Sequence, residues 1–434
     1  VNSAKERFDV VIVGARVAGS PLATMLARRG LRVCLLDKAR FPSDTASTHV
    51  IQARGVDVLE RLGVRAALLA AGAVELTGFT LVSDDVRIDA DLTDDALREA
   101  YPLAVPPLCV RRVTLDRLLL DAAVDAGVDV RTRTGVTGLR ADDGGRVTGV
   151  ETGEGALAAD LVVGADGRNS TVARLVGAAD YLSTGPCRPF TWAYFDGVAD
   201  REPRLRIGRI GELAFIACPT DGGRYLAGAI PSAGTRTDDF LARFAAWPEL
   251  AHLLAGARRV GPIRVVPDAR GYFRPATGPG WVLTGDAGHF KDPAPAQGIA
   301  DALRHAERLA KIISAEPDRR ERLDGELRRF WRWRDDDCYE MHWLAADLGA
   351  PGPPSPLTTQ LLRDISVDAD ATVRLLQVLN RDLRPSQLFT PRRVLTAIAR
   401  TPPGRLPAVL REAATAARQD RRRARQARER RVAL

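Results

Sequence analysis

Residues 8–37 constrain this chain more than any other stretch. Phe8-Asp9-Val10-Val11-Ile12-Val13 is a short β-branched run that stops at Gly14, and an alanine- and leucine-rich stretch of helical character then runs to Gly30. A second apolar strand, Leu31-Arg32-Val33-Cys34-Leu35-Leu36, finishes at Asp37. Strand, tight turn, helix and strand within about 30 residues make a βαβ unit. When such a unit binds a dinucleotide, its turn glycines let the backbone approach a pyrophosphate at the helix N-terminus, and an acidic residue roughly 20 positions on accepts the ribose hydroxyls. Gly14, Gly19 and Asp37 stand at those places, but Arg16 occupies the position of the middle glycine in G-x-G-x-x-G. Its side chain either forces the loop outward or turns away and lends its charge to a phosphate.

Two later segments have the same strand-into-turn character. Leu161-Val162-Val163-Gly164 runs into Ala165-Asp166-Gly167-Arg168-Asn169-Ser170, an Asp-Gly turn followed by a helix start. Trp281-Val282-Leu283-Thr284 runs into Gly285-Asp286-Ala287-Gly288-His289, and the chain continues through Lys291-Asp292-Pro293 to a new helix near Gly298-Ile299-Ala300-Asp301-Ala302. In this order and spacing, the three segments resemble the fingerprint, DG and GD motifs of the para-hydroxybenzoate hydroxylase-like FAD superfamily, which includes aromatic-ring monooxygenases, flavin-dependent halogenases and geranylgeranyl reductases. Gly14-Ala15-Arg16, Pro42-Ser43-Asp44, Ser47-Thr48-His49 and Lys291-Asp292-Pro293 are most similar to a bacterial branch described only as FAD-dependent oxidoreductases. The resemblance spans roughly residues 8 to 345. It implies an α/β fold: a Rossmann-like, GR2-type FAD-binding lobe (1–75, 108–182 and 276–315), an inserted β-sheet substrate lobe (76–107 and 183–275), and a helical C-terminal region (316–434). The length agrees, because 434 residues exceed the roughly 250 to 300 at which a single core stops growing.

The resemblance also implies roles. The turn and helix start, with Gly14, Arg16, Ala18, Gly19 and Ser20, would hold the pyrophosphate, and Asp37 with its neighbour Lys38 the adenosine ribose. Arg112 in Arg112-Val113-Thr114-Leu115-Asp116 matches the family's R-x-x-L-D segment, where a guanidinium neutralises phosphates or flanks the flavin. Val136 would edge the adenine, Asp166 and Gly285 are the motif residues, and Asp286 would contact the ribityl chain and the pyrophosphate bridge. Gly298 and Ile299 open a helix whose N–H groups and positive dipole end would favour negative charge at the flavin N1/C2 carbonyl. Pro293 matches the proline beside the isoalloxazine. The added Pro295, and Ala300 where many hydroxylases carry asparagine, alter the hydrogen bonds available to the ring.

Catalytic candidates are His49, Lys291 and Pro293. An imidazole at His49 is a general base on a phenol or else a structural hydrogen bonder. Lys291, one of only four lysines, binds an anionic substrate group or is a surface cation. Trp192, Tyr194 and Phe215 lie on alternating segments of the substrate lobe, where they line a pocket or fill a sheet core. The tryptophan pair in Phe330-Trp331-Arg332-Trp333 belongs to a helix expected against the FAD lobe and lacks the Ile-Pro of the halogenase W-x-W-x-I-P motif.

Charge narrows the partners. Between Arg418 and Arg431, eight arginines face only Asp420 and Glu429, so this segment carries six of the eight net positive charges and leaves two for everything else. The tail reads as a solvated helix or a basic arm, and no specific nucleic-acid binding is expected. Five scattered cysteines without a C-x-x-C pair imply reduced thiols and no metal site. No apolar run approaches the roughly 18 to 20 residues of a membrane span, and Val1 to Arg7 lead straight into a strand rather than a signal peptide, so the expected location is cytoplasmic. The function implied is that of a monooxygenase of bacterial secondary metabolism. It would use reduced FAD and O2 to oxygenate an aromatic or polyketide-like small molecule, with NADH or NADPH as donor, directly or through a partner flavin reductase. The same motifs also suit a reductase of prenyl or polyene double bonds, or a redox-silent FAD protein that catalyses cyclisation.

Overall fold

The run Val10–Val13 is buried throughout, without polar alternation, as a parallel strand covered on both faces must be. In the computed structural model, which describes residues 6–185, 187–199, 202–231, 240–266, 270–315 and 320–432, it belongs to the central strand Arg7–Val13 of an eight-stranded sheet. Val33–Asp37 pairs parallel on one side and Gly155–Gly164 on the other, and Asp129–Thr132 and Trp281–Leu283 extend the parallel set. Val136–Ala141, Val147–Thr152 and the short Thr277–Gly278 are attached antiparallel. The register decides what the sheet presents: Val13 faces Leu36 and Gly164, and Gly164 faces Leu283. Four strands therefore end at one level, and the segments that follow them open along one edge. This is the topological switch point at which open α/β sheets bind ligands.

These strands belong to a unit formed by Val1–Ala73, Val110–Ser183 and Gly271–His342. Helices Arg112–Asp125 and Gly298–Ala315 pack on helix Gly19–Ala27, and Ala53–Leu62 packs on Gly298–Ala315. Gly19 is required by packing: a Cβ there would lie 1.8 Å from the Gly14 carbonyl oxygen and 3.2 Å from Ile12 Cγ2. Helix Arg320–Gly349 places the expected aromatic segment in this unit. Phe330 is buried, Trp331 Nε1 donates to Tyr181 Oη at 2.7 Å, and Trp333 packs edge-on to His305.

The second unit, Val74–Cys109, Thr184–Arg270 and Trp343–Leu434, holds a seven-stranded sheet. Its strands run in the order Arg258–Val266, Phe190–Asp196, Arg224–Ile230, Leu213–Thr220, Arg204–Ile210, Gly78–Ser83 and Val86–Asp91. All neighbours are antiparallel except the Arg204–Ile210 and Gly78–Ser83 pair. Phe195, Phe215, Phe240, Phe244 and Trp247 fill one core of this unit. Helices Pro356–Ser366, Pro391–Arg400 and Leu406–Val432 share a smaller one, built on Leu357, Leu361, Ala397 and Val409.

The α/β class and the pairing of a dinucleotide-type sheet with an inserted sheet follow the sequence reading. The described region after residue 315 is helical, as expected, with residues to His342 clustering with the first unit and later ones with the second. Among the described residues no helix is long and apolar enough to cross a membrane.

Gly19→Ala is expected to destabilise the first unit by about 3 kcal/mol or to abolish folding, because backbone rather than a flexible side chain blocks the methyl group. Gly153→Ala, where nothing lies within 4 Å, is expected to leave the melting temperature unchanged. Thermal melts of the two variants compare these outcomes, and equal stability would contradict the assigned close approach.

Candidate functional site

The aligned strand ends enclose a cleft of about 470 Å³ within the first unit. Among its lining residues are Gly14, Arg16, Ala18, Asp37, Lys38, Arg112, Val136, Asp166, Gly285, Asp286, Lys291, Pro293, Gly298 and Ile299. Three segments separated by more than a hundred residues thus meet at one cavity. Gly285, at φ +58°, approaches the first helix so closely that a Cβ would fall 2.9 Å from Ala18 Cβ.

The Arg16 guanidinium turns away from the glycine loop. Nη1 donates to Asp116 Oδ2 at 2.6 Å, Nη2 donates to Ser43 Oγ at 2.8 Å, and the group stands 5.4 Å from the Phe41 ring centroid. Asp116 is fully buried and also accepts from Arg112 Nε at 2.9 Å and Nη2 at 3.0 Å. One carboxylate therefore holds two cleft-lining arginines, and the trio has a net charge of +1. Asp116 lies four residues after Arg112 on one helix, a spacing whose ion pair is readable in sequence; its second partner, a hundred residues earlier, is not.

The acidic residues are fixed by backbone donors. Asp37 accepts from the N–H groups of Ala15 and Ala39, each at 2.8 Å, which ties the glycine loop to the end of the second strand. Asp166 accepts from the Ser170 hydroxyl and from the Thr171 and Val172 N–H groups, and burial raises its pKa above the ordinary carboxylate value despite those donors. Burial also raises Asp286, opposed by the charges of Arg168 and Arg112. Five cationic and five acidic side chains line the cleft (Arg16, Lys38, Arg112, Arg168 and Lys291; Asp37, Asp166, Asp286, Asp292 and Asp301). An anionic ligand would therefore be selected by the placement of donors rather than by net charge.

Several expected residues sit elsewhere. Gly19 and Ser20 do not line the cleft: Gly19 is consumed by the helix–strand contact, and Ser20 is buried one position further into the helix. His49 is fully buried, absent from the lining, and held at φ +62° with its N–H donating to Ser47 Oγ at 3.1 Å. A base in that position is not presented to the cavity. Lys291 reaches the lining, but it is only 6% exposed, pairs with Asp301 and donates to Gln297 Oε1 at 2.8 Å. Its charge is already matched, so it braces the loop before helix Gly298–Ala315. Trp192, Tyr194 and Phe215 are interior side chains of the second unit. Trp192 packs on Phe190, Tyr194 lies under Arg264, and Phe215 joins Phe244 and Trp247 in the aromatic core. Their alternation reflected a sheet buried on both faces.

Residues to which the sequence reading gave no role complete the surround. Arg334, 2% exposed, donates to the carbonyls of Gly288 and Arg274, each at 2.7 Å, and pairs with Asp335, which clamps the segment after Asp286. His289 and His305 both line the cleft. His342 Nε2 lies 2.9 Å from the Leu182 carbonyl, which can only accept, so its proton is on Nε2 and its Nδ1 accepts from His289 Nε2 at 3.3 Å. Burial drives His289 well below its ordinary pKa, reinforced by His342 and Lys291, and drives His305 down to about 3. Both are neutral near pH 7. His305, Asp337 and Cys338 lie close enough together to hold a metal, but Asp337 is paired with Arg304 at 3.1 Å and no ligand role is assigned to them.

A family model described as FAD binding domain matches residues 7–324. Among characterised relatives, the 6-methylpretetramide 4-monooxygenase of Streptomyces rimosus is 30% identical over 315 residues, covering 69% of this chain and 73% of that protein. Conditioned medium factor receptor 1 of Dictyostelium discoideum is 27% identical, covering 70% and 62%, and the rifampicin monooxygenase of Streptomyces venezuelae is 32% identical, covering 40% and 34%. The chain thus spans about a third to three-fifths of the length of these last two. The flavin-dependent brominase Bmp2 has a similar fold, with a TM-score of 0.72 at 20% identity over 91% of this chain and 98% of that one.

The histidines generate a pH prediction. The ordinary value of His305 is 6.5 and its folded value is depressed to about 3, so only the unfolded chain takes up a proton as pH falls from 7 to 5. Stability is then expected to drop by about 2 kcal/mol from this residue over that interval, with His289 acting in the same direction. His305→Gln is expected to flatten the dependence of the urea midpoint on pH. An unchanged slope would show that His305 is not the titrating group.

Proposed function

The chain belongs to the FAD binding domain family, and on that footing we propose that it is an FAD-dependent monooxygenase acting on an electron-rich aromatic or polyketide-like small molecule in bacterial secondary metabolism. The observation that carries this reading is the meeting of Gly14–Ala18, Asp166 and Gly285–Asp286 at one cleft, in a chain whose relatives include two Streptomyces monooxygenases. The donor set fits the cofactor: a strand-end acid, a glycine turn, a held pair of arginines and the start of an 18-residue helix lie on one cavity. When bound, FAD supplies the redox chemistry, taking electrons from NADH or NADPH and delivering them to O2.

The chain's own residues bind and orient. The Gly14–Ala15 backbone and the Arg16 guanidinium would hold the pyrophosphate, with Arg112 beside them and Asp116 fixing both arginines. Asp37 and Lys38 would take the adenosine ribose, Val136 the adenine edge, and Asp286 the ribityl chain. The helix start at Gly298-Ile299 would place N–H groups and a positive dipole end toward the flavin ring, with Pro293 alongside. Lys291, locked to Asp301 and Gln297, would keep that loop in place and water out of it. Five unbridged cysteines suit the reducing cytoplasm in which pyridine nucleotides are regenerated. The electrons would come from NADH or NADPH docked on this chain or from a separate flavin reductase.

Arg16→Ala is expected to weaken FAD binding by about tenfold to a hundredfold in a flavin fluorescence titration, as the loss of hydrogen bonds between a guanidinium and a phosphate would. Unchanged affinity would return Arg16 to a purely structural role. The reaction class is tested by reducing the flavin anaerobically, admitting ¹⁸O2 and screening phenols and polyketides by mass spectrometry. Product carrying one ¹⁸O atom is expected. Hydrogenated product without label would establish a reductase instead, and failure to retain or take up FAD would defeat the reading altogether.

A further inference from the structure

Helix Leu406–Val432 carries a charge pattern that the proposed chemistry does not use. At 3.6 residues per turn, Val409, Glu412, Ala413, Ala416, Arg423 and Ala427 fall on one side of it. That side meets the rest of its unit: Val409 is buried, Glu412 accepts from the Leu357 N–H at 2.9 Å, and Arg423 grips Asp347 at 2.7 and 3.0 Å while lying 4.4 Å over Trp343. Arg411, Arg418, Arg421, Arg422, Arg425 and Arg428 fall on the opposite side, within an arc of about 120°, and every one is exposed. Of the acids along this stretch, Glu412 and Asp420 lie outside the arc, with Asp420 turned to Arg423, and Glu429, four positions after Arg425, is the one acid whose position falls within it.

Like charges three and four positions apart on a helix repel, and Arg418, Arg421, Arg422, Arg425 and Arg428 form five such pairs. Within the arc Glu429 alone offers an acid at this spacing, so six arginines keep most of their mutual repulsion. A dense anionic surface relieves it by contact, because guanidinium forks match phosphate oxygens. We propose that this face docks the protein on a bilayer surface rich in anionic phospholipid, with the arginines among the headgroups. Nucleic acid fits less well. The helix has no aromatic ring to stack on a base, and Gln419 and Gln426, the only amides in its basic half, fall outside the arc and cannot read base edges from it. Leu410, 49% exposed at the N-terminal end of the arc, suits a headgroup layer. The inference does not rest on the redox reading.

The test is co-sedimentation of the 434-residue chain with vesicles of equimolar phosphatidylcholine and phosphatidylglycerol, against vesicles of phosphatidylcholine alone. Binding is expected only to the anionic vesicles at low salt, with release at about 1 M, where charges are screened beyond about 3 Å. Changing Arg418, Arg421, Arg422, Arg425 and Arg428 together to Gln is expected to lower the partition coefficient by at least about tenfold. Changing the same five to Lys is expected to preserve binding, which separates lost charge from a damaged helix; Arg423 is kept because it anchors the helix. The proposal is overturned if the wild-type protein ignores anionic vesicles at low salt, if the Gln variant binds as well as wild type, or if duplex DNA or single-stranded RNA displaces the protein from the vesicles.

Discussion

The parallel register that sets Val13 between Leu36 and Gly164, and Gly164 opposite Leu283, is the constraint from which the cleft follows. Parallel neighbours need long crossovers, so residues meeting at the strand ends must come from distant parts of the chain. Because the strands stop at one level, Gly14, Asp37, Asp166 and Asp286 reach the same cavity without any of the intervening segments having to fold toward it. A shift of one residue in any of these pairings would turn an entire strand's side chains to the wrong face of the sheet and remove one wall of the site.

Charge within the cleft is organised by burial rather than by excess. Asp116 serves two arginines, Asp301 serves Lys291, and Arg334 spends its donors on main-chain carbonyls. Buried pairs of this kind cost desolvation and are weak evidence for stability, but they fix side chains to one geometry. Burial keeps His289 and His305 uncharged even though Asp301 acts on both and Asp337 lies beside His305. The outcome is a set of pre-positioned donors around a cavity with balanced charge, suited to a ligand that carries both phosphates and an uncharged ring.

The same pairing sets the part each single candidate residue plays. Lys291 looked conspicuous because lysines are rare in the chain, yet its role was decided by Asp301, ten positions away across a loop. His49 is a base or a structural hydrogen bonder by its sequence, and in the structure it is fully buried and does not line the cleft. Trp192, Tyr194 and Phe215 alternate as half-buried strands do, and the second face of their sheet proved to be covered as well.

What the sequence alone determined were the local units: strand, glycine turn and helix at 8–30, the acid at Asp37, the Asp-Gly turn at 166, the Gly-Asp turn at 285, and the α/β class that these imply. Such features are legible because hydrophobic period and turn chemistry act over a few residues. The role of Arg16 was open at that level, since a side chain in place of glycine permits two conformations and nothing nearby selects one. Only the tertiary structure chose between them, by bringing Asp116 and Ser43 to its guanidinium. The division of the residues after 315 between two units was likewise invisible, because an amphipathic helix advertises that it will be covered but not by what.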